Sequence, residues 1–285
     1  MYNFNMNIST ELFFGEDAEL KAGALMRQYG RKILLIYGSR RIFEEGLGQR
    51  LQRISQLSEV RALQAVEQMR VDGLDDALIG QRIAGWHQDL ASLTRQLNGW
   101  LCIRATEGAG WQVASHTRRL AALRIVQCWR ESLVGWSGIA DRTLSLDGFQ
   151  VGNLPDLSVQ FPHVDTLDLT AVRLTGQDSN AFLRAFTQLR SLTLSGQALR
   201  ELPRAIESMP MLERLALSSA ELVDPHVLYP VLVSLERLQW LDLSHNDLPE
   251  FSVAGLPRLV ELDLRNNQIT QWPQGTLQAA HLREL

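Results

Sequence analysis

One spacing rule governs residues 164 to 269: Leu-x-x-Leu-x-Leu-x-x-(polar or small)-x-Leu, written five times. The copies are Val164, Leu167, Leu169, Val172, Leu174; Leu189, Leu192, Leu194, Gln197, Leu199; and Leu212, Leu215, Leu217, Ala220, Leu222. Two more follow as Leu238, Leu241, Leu243, Asn246, Leu248 and Leu259, Leu262, Leu264, Asn267, Ile269. Their first residues lie 25, 23, 26 and 21 positions apart. Residues two apart share one side of an extended chain and their alternates face the other way. A single copy has too little surface to hide its leucines. Stacked copies can bury them against each other.

This period and pattern resemble the leucine-rich repeat, in which each coil holds one short strand and a return segment. The expected fold class is α/β: a leucine-rich-repeat solenoid preceded by a helical cap and a short N-terminal α/β segment. Leu144, Leu146 and Val151 form a degenerate opening repeat in which Asp141 replaces the first apolar residue. At the other end, His281 to Leu285 begin a further copy, with Leu282 23 positions after Leu259. No polar closing coil follows, so the expectation is a solenoid truncated at its C-terminus, a fragment of a longer protein.

Ahead of the repeats, two stretches read as helices. Asp75 or Asp76 can cap a helix carrying Leu78, Ile79, Ile83, Trp86, Leu90, Leu93, Leu97 and Trp100. After a break at Gly108-Ala109-Gly110, a second starts near Ser115 with Leu120, Leu123, Val126, Cys128 and Leu133 or Val134, and stops at Gly135-Trp136-Ser137-Gly138. Residues 1–50 read as mixed α/β, including the buried-strand run Ile33 to Gly38. The expected domains are therefore 1–50, an α/β segment; 51–140, a helical region capping the solenoid; and 141–285, the repeats.

On the strands, the residues between leucines form outward ladders. The first is Thr166, Ser191, Arg214, Trp240, Glu261; the middle is Asp168, Thr193, Ala216, Asp242, Asp263; the third is Thr170, Ser195, Ser218, Ser244, Arg265. Small hydroxyls dominate the early copies. The later ones gather the mixture of aromatic, Arg and polar groups that marks an interface. The candidate partner-binding residues are Arg214, Trp240, Asp242, Ser244, His245, Glu261, Asp263, Arg265 and Asn266. Asn246 and Asn267 stand where a buried amide can bond the turn between coils. Val172, Gln197 and Ala220 replace it earlier, so those turns are expected to be less regular.

Chemistry of other kinds finds little support. No catalytic residue, metal site or cofactor is expected. The six histidines are scattered without metal-ligand spacing, no glycine-rich phosphate loop follows a strand, and Ser218, Ser219 and Ser244 lack a base. Asp242 and Asp263 on adjacent copies read as a solvated acidic stripe, with cation binding or a raised pKa as the alternative. A formal charge of −4 gives no footing for a nucleic-acid partner. No window is apolar enough to span a membrane, and Met1 to Asn5 lacks the start of a secretory signal. Cys102 and Cys128 both sit in apolar surroundings, read as buried free thiols in a reducing interior.

Residues 75–285 resemble the bacterial effector toxins that join leucine-rich repeats to a C-terminal NEL-type E3 ubiquitin ligase domain. Gly80 to His87, the Leu144 to Val151 repeat, and the Leu238 to Asn246 and Leu259 to Asn267 repeats carry this. The resemblance implies a protein-binding, substrate-recognising module of a secreted effector, made in the bacterial cytoplasm and delivered to a host cell. The family's ligase uses a Cys-x-Asp motif. Cys102-Ile103-Arg104 and Cys128-Trp129-Arg130 do not match it, so the chain in isolation is not expected to transfer ubiquitin. Residues 1–47 are similar instead to the start of iron-containing alcohol dehydrogenases, on Asn3 to Met6, Phe13 to Gly15, Tyr29 to Lys32 and Leu34 to Gly38. The alternative reading is accordingly a remnant of such a dehydrogenase, fused to repeats and without activity.

Overall fold

The computed structural model describes residues 47–56, 59–103, 115–134, 142–172, 179–199, 201–279 and 281–283. Residues 1–46, on which the expectation of an α/β segment mostly rests, lie outside the described residues, as do Gly108 to Gly110, Gly135 to Gly138 and Asp141. Contacts divide the chain into two units. One is Met1–Ala91 with Trp136–Gly138, the other Ser92–Gly135 with Ile139–Leu285.

In the first unit, helices α1 (Leu47–Ser55) and α2 (Glu59–Val71) pack together. Leu51, Ile54, Ala62, Val66 and Met69 are buried at helical spacing. The end of α2 is closed by Gly73, whose φ of 90° only glycine adopts without strain. Its N–H bonds Arg70 O at 3.0 Å, and Leu74 N–H reaches back to Met69 O at 3.0 Å. This double closure satisfies carbonyls that the helix itself leaves open. Helix α3 (Asp76–Cys102) begins immediately after. Asp75 is its cap, accepting Leu78 N–H at 2.7 Å.

The second unit contains the rest of α3, helix α4 (Ser115–Val134) and six three-residue strands. These are β1 (Thr143–Ser145), β2 (Thr166–Asp168), β3 (Ser191–Thr193), β4 (Arg214–Ala216), β5 (Trp240–Asp242) and β6 (Glu261–Asp263). They form one parallel sheet in the order of the sequence. Leu144, Leu167, Leu192, Leu215, Leu241 and Leu262 stand in register across it. None is more than 2% exposed. This is a leucine-rich-repeat fold with the leucines as a shared interior. Each buried leucine is worth about 1.5–3 kcal/mol of transfer free energy, so the central leucine row is a main source of cohesion between coils. Return segments carry short helices α5 (Asn180–Leu183) and α6 (Tyr229–Ser234) and 3-10 turns at Arg204–Ser208, Pro225–Val227 and Thr276–Gln278. Phe161, Phe182 and Phe186 fill the core beside the early coils, with centroids 5.0 and 5.1 Å apart.

Each coil leaves its strand in the same way. The third residue after the strand has positive φ: Gly148 (70°), Ala171 (52°), Gly196 (68°), Ser219 (53°), His245 (57°) and Asn266 (56°). The N–H of that residue bonds the next coil, as Ala171 to Ser195 O at 2.9 Å and His245 to Arg265 O at 2.8 Å. The Ala220 turn is nevertheless less regular, as expected, because Glu221 beside it also has positive φ (55°), whereas the first step out of the strand is shared even by the turns lacking asparagine. Gln197 explains part of this. Only 2% exposed, its amide donates to Leu169 O. Asn246 and Asn267 donate to the corresponding carbonyls of Leu217 and Leu243, both at 2.9 Å. Asn246 also accepts from Ala220 N–H (2.9 Å) and Leu222 N–H (3.1 Å).

Helix α4 contacts β1. Its buried face is Arg118, Ala121, Ala122, Ile125, Cys128, Trp129 and Leu133, whereas Leu120 is 41% exposed. Arg118 threads into the first coil. Its guanidinium donates to Val151 O (2.8 Å), Ile103 O (2.6 Å) and Asn153 Oδ1. Trp100 Nε1–H donates to Asn153 O at 2.9 Å. Arg283 N–H bonds Val260 O at 2.8 Å, the same rung by which Val260 N–H bonds Gln239 O.

Candidate functional site

The strand register brings the candidate residues together on the open side of β4, β5 and β6. Arg214, Trp240 and Glu261 are successive Cα partners, and so are Ala216, Asp242 and Asp263. Alternation with the buried leucines forces their side chains off the core. At the head of the face, the Arg214 guanidinium sits 4.3 Å from the Trp240 ring centroid. A guanidinium over an indole is held by the ring's negative face and by stacking of two planar groups. Trp240 is consequently half-buried, not the free aromatic that the pattern alone suggests. Glu261 stands beside it; its N–H bonds Gln239 O at 3.0 Å, and its carboxylate has no hydrogen bond or ion pair among the described residues.

The aspartates do a structural job first. Asp168 Oδ1 accepts Thr170 N–H at 3.0 Å, Asp242 Oδ1 accepts Ser244 N–H at 2.9 Å, and Asp263 Oδ1 accepts Arg265 N–H at 3.0 Å. A carboxylate bonding its own backbone two residues on stabilises the turn that must follow each strand. The spacing Asp-x-Thr, Asp-x-Ser and Asp-x-Arg was the available signal. Arg265 additionally clamps Asp263, its Nε 3.0 Å from both carboxylate oxygens. That guanidinium holds the Asp263 carboxyl below the usual carboxylate range. The shift is opposite to the raised pKa considered for an Asp242–Asp263 pair. Among the described residues, no group of three or more His, Cys, Asp or Glu could hold a metal ion.

His245 and Asn266 are equivalent left-handed residues on adjacent coils. The Asn266 amide nitrogen lies 3.1 Å from His245 Nε2. Both side chains are exposed. Ser244 needs correction as a contact residue: it is 5% exposed. Its coil closes over it, as happens to Ser195, whose Oγ bonds Ser218 Oγ at 3.0 Å.

Sequence reasoning missed the rim one residue before the strands. There Arg142 pairs with Asp165 at 3.2 Å and Arg190 with Glu213 at 2.7 Å, each bridging successive coils. Each pair bridges neighbouring coils and is partly solvated, which makes its contribution modest. The cysteines also differ from expectation. Cys128 is buried, but Cys102 is exposed at the last residue of α3. A fully buried thiol is inaccessible as a nucleophile. No helix among the described residues is long and apolar enough to cross a membrane.

Comparison with known proteins agrees with the repeat reading. Residues 236–275 match a family model described as leucine-rich repeats in two copies. An uncharacterized leucine-rich repeat-containing protein of Schizosaccharomyces pombe is 37% identical over 105 residues, covering 36% of this chain and 16% of that protein. The chain thus spans under a fifth of that relative. Among solved structures, the leucine-rich repeat domain of the type III effector XopL is similar at 18% identity and a TM-score of 0.45, over 70% of this chain and 69% of that one. Internalin C2 of Listeria monocytogenes gives 16% identity and a TM-score of 0.37, over 69% and 80%.

Proposed function

We propose that the chain is a protein-binding module that presents the open face of β4 to β6 to a macromolecular partner. The observation that carries this is the Arg214–Trp240 stack beside the unengaged Glu261 carboxylate, displayed on a sheet whose opposite side is committed to the leucine core. Repeats of this kind build extended surfaces and bring no reactive group of their own. Arg214, Trp240, Asp242, His245, Glu261, Asp263, Arg265 and Asn266 form the contact set. Helices α3 and α4 serve as the N-terminal cover of the solenoid core, a role supported by the bonds of Trp100 and Arg118 to the first coil.

In the finer reading, the module is the substrate-recognition part of a ligase-type bacterial effector exported to a host cell. The Gly80 to His87 segment and the repeats support it. The decisive binding experiment compares partner capture by the parent chain and by the Trp240→Ala/Asp242→Ala double variant. The double variant is expected to lose the partner while retaining its circular dichroism. Equal capture by both refutes the assigned face. A ubiquitin thioester assay addresses the enzyme question directly, and no adduct is expected on the buried Cys128. Calorimetry with NAD tests the dehydrogenase-remnant reading, where no heat beyond dilution is expected.

A further inference from the structure

His163 lies on the return from β1 to β2, within the second unit, and reaches helix α4. Its Nε2–H donates to Cys128 O at 2.9 Å, with Cys128 Sγ 3.7 Å away. The other ring nitrogen, Nδ1, is shut off from solvent and has no hydrogen-bond partner among the described residues. Phe161 stacks along the ring at 6.2 Å. A neutral imidazole suits this setting, since one N–H meets one carbonyl and the bare lone pair needs no donor. An imidazolium does not suit it, because its second N–H meets no acceptor.

The charged surroundings oppose protonation as well. Arg142 donates Nε–H to the His163 carbonyl at 3.3 Å and brings a positive charge near the ring. Asp165, the nearest carboxylate in sequence, is paired with Arg142. On α4, Cys128 supplies the contact; Arg130 and Glu131 follow it, and neither bonds the imidazole. We propose that His163 is an acid-sensitive latch, whose protonation loosens helix α4 from the first two coils. Burial, ahead of the Arg142 charge, holds the ring below the ordinary histidine value near 6.5. The sign follows from linkage. Above that value both folded and unfolded states are neutral and the attachment has full strength. Below it the released ring takes a proton that the docked ring refuses, so docking weakens as pH falls.

Hydrogen exchange of the full chain, corrected for intrinsic rates, tests this between pH 7.5 and 5. Opening of α4 is expected to rise by up to about tenfold for each pH unit below the ordinary histidine value. Exchange in β3 to β5 is expected to stay level. His163→Gln keeps a neutral N–H donor for Cys128 O and is expected to flatten the response. Constant protection of α4 in the parent, or the same fall in His163→Gln, overturns the proposal. Should that variant fail to fold, NMR titration of the parent ring decides. A depressed midpoint with accompanying shifts in α4 amides supports the latch, and an ordinary midpoint with α4 unmoved refutes it.

Discussion

The Arg118 guanidinium lies 5.4 Å from the centre of the Trp100 ring while donating to oxygens of Val151, Ile103 and Asn153. A cation that is 4% exposed is here satisfied by neutral oxygens and an aromatic face. Arg118→Met leaves those acceptors dry and unpaired, at about 1–3 kcal/mol for each one that water cannot reach. Urea midpoints of the second unit's signals are expected to fall accordingly. Arg118→Lys restores the charge but not the planar fork, and is expected to recover only part of the loss.

The left-handed ladder gives opposite signs at equivalent positions. Ala171 adopts φ 52°, which costs a non-glycine residue about 1–2 kcal/mol. Ala171→Gly relieves this, less roughly 0.5–1 kcal/mol of extra unfolded-chain entropy, and a small rise in melting temperature is expected. Gly196→Ala imposes the strain instead. Its added Cβ would meet Ala171 atoms no closer than 3.5 Å, an ordinary contact, so the backbone alone sets the penalty. A fall is expected there. Equal effects of the same sign contradict the shared turn geometry.

Asn246 ties its own coil to the preceding one through both ends of its amide. Asn246→Ala is expected to cost about 1–6 kcal/mol, from one to two backbone groups left dry at about 1–3 kcal/mol each. Asn267, which is less buried, is expected to cost less in the same substitution. Denaturant midpoints measured side by side test the order.

Leu215→Ala removes a fully buried core side chain. About 2–5 kcal/mol of stability is expected to go with it, depending on how far neighbouring coils collapse into the space. Trp240→Ala/Asp242→Ala is expected to be far milder by the same measurement, which separates binding loss from unfolding.

For the Asp263–Arg265 pair, pH supplies the test. The folded carboxyl titrates below its unfolded value, so its contribution is present above about pH 4 and is lost as pH falls through the folded value. Arg265 is 81% exposed, so screening keeps the effect small. Arg265→Ala is expected to lower the midpoint slightly at pH 7. The difference between parent and variant is expected to shrink progressively as pH falls below about 4. A difference that persists in acid argues against the ion pair.

The strand register and the leucine core were legible because the pattern is periodic in the sequence. Leu192, Leu215, Leu241 and Leu262 occupy the positions that alternation assigns to them. The face of α4 was less legible: Leu120 looked like core, but Arg118 and the small Ala121 and Ala122 are buried instead. Close approach of a helix to a coil favours small side chains, and a buried Arg depends on acceptors that arrive from distant residues. Among the candidate contacts, ladder membership was readable from spacing. The stack of Arg214 on Trp240, the aspartates' bonds to their own turns and the closure over Ser244 were not, because each depends on side-chain direction across two coils.

Since every coil exits its strand through a left-handed residue at a fixed offset, differences in coil length are confined to the far, returning limb. Exposed positions of that limb, such as Glu207 and Ser208, could accept an insertion while Trp240 keeps its place, whereas Leu202, Ile206 and Met209 belong to the core. One residue added between Asp242 and His245 would break the rungs to the following coil and throw Glu261 and Asp263 out of step. The molecule thus separates a limb open to editing from a sheet side where insertions are not tolerated.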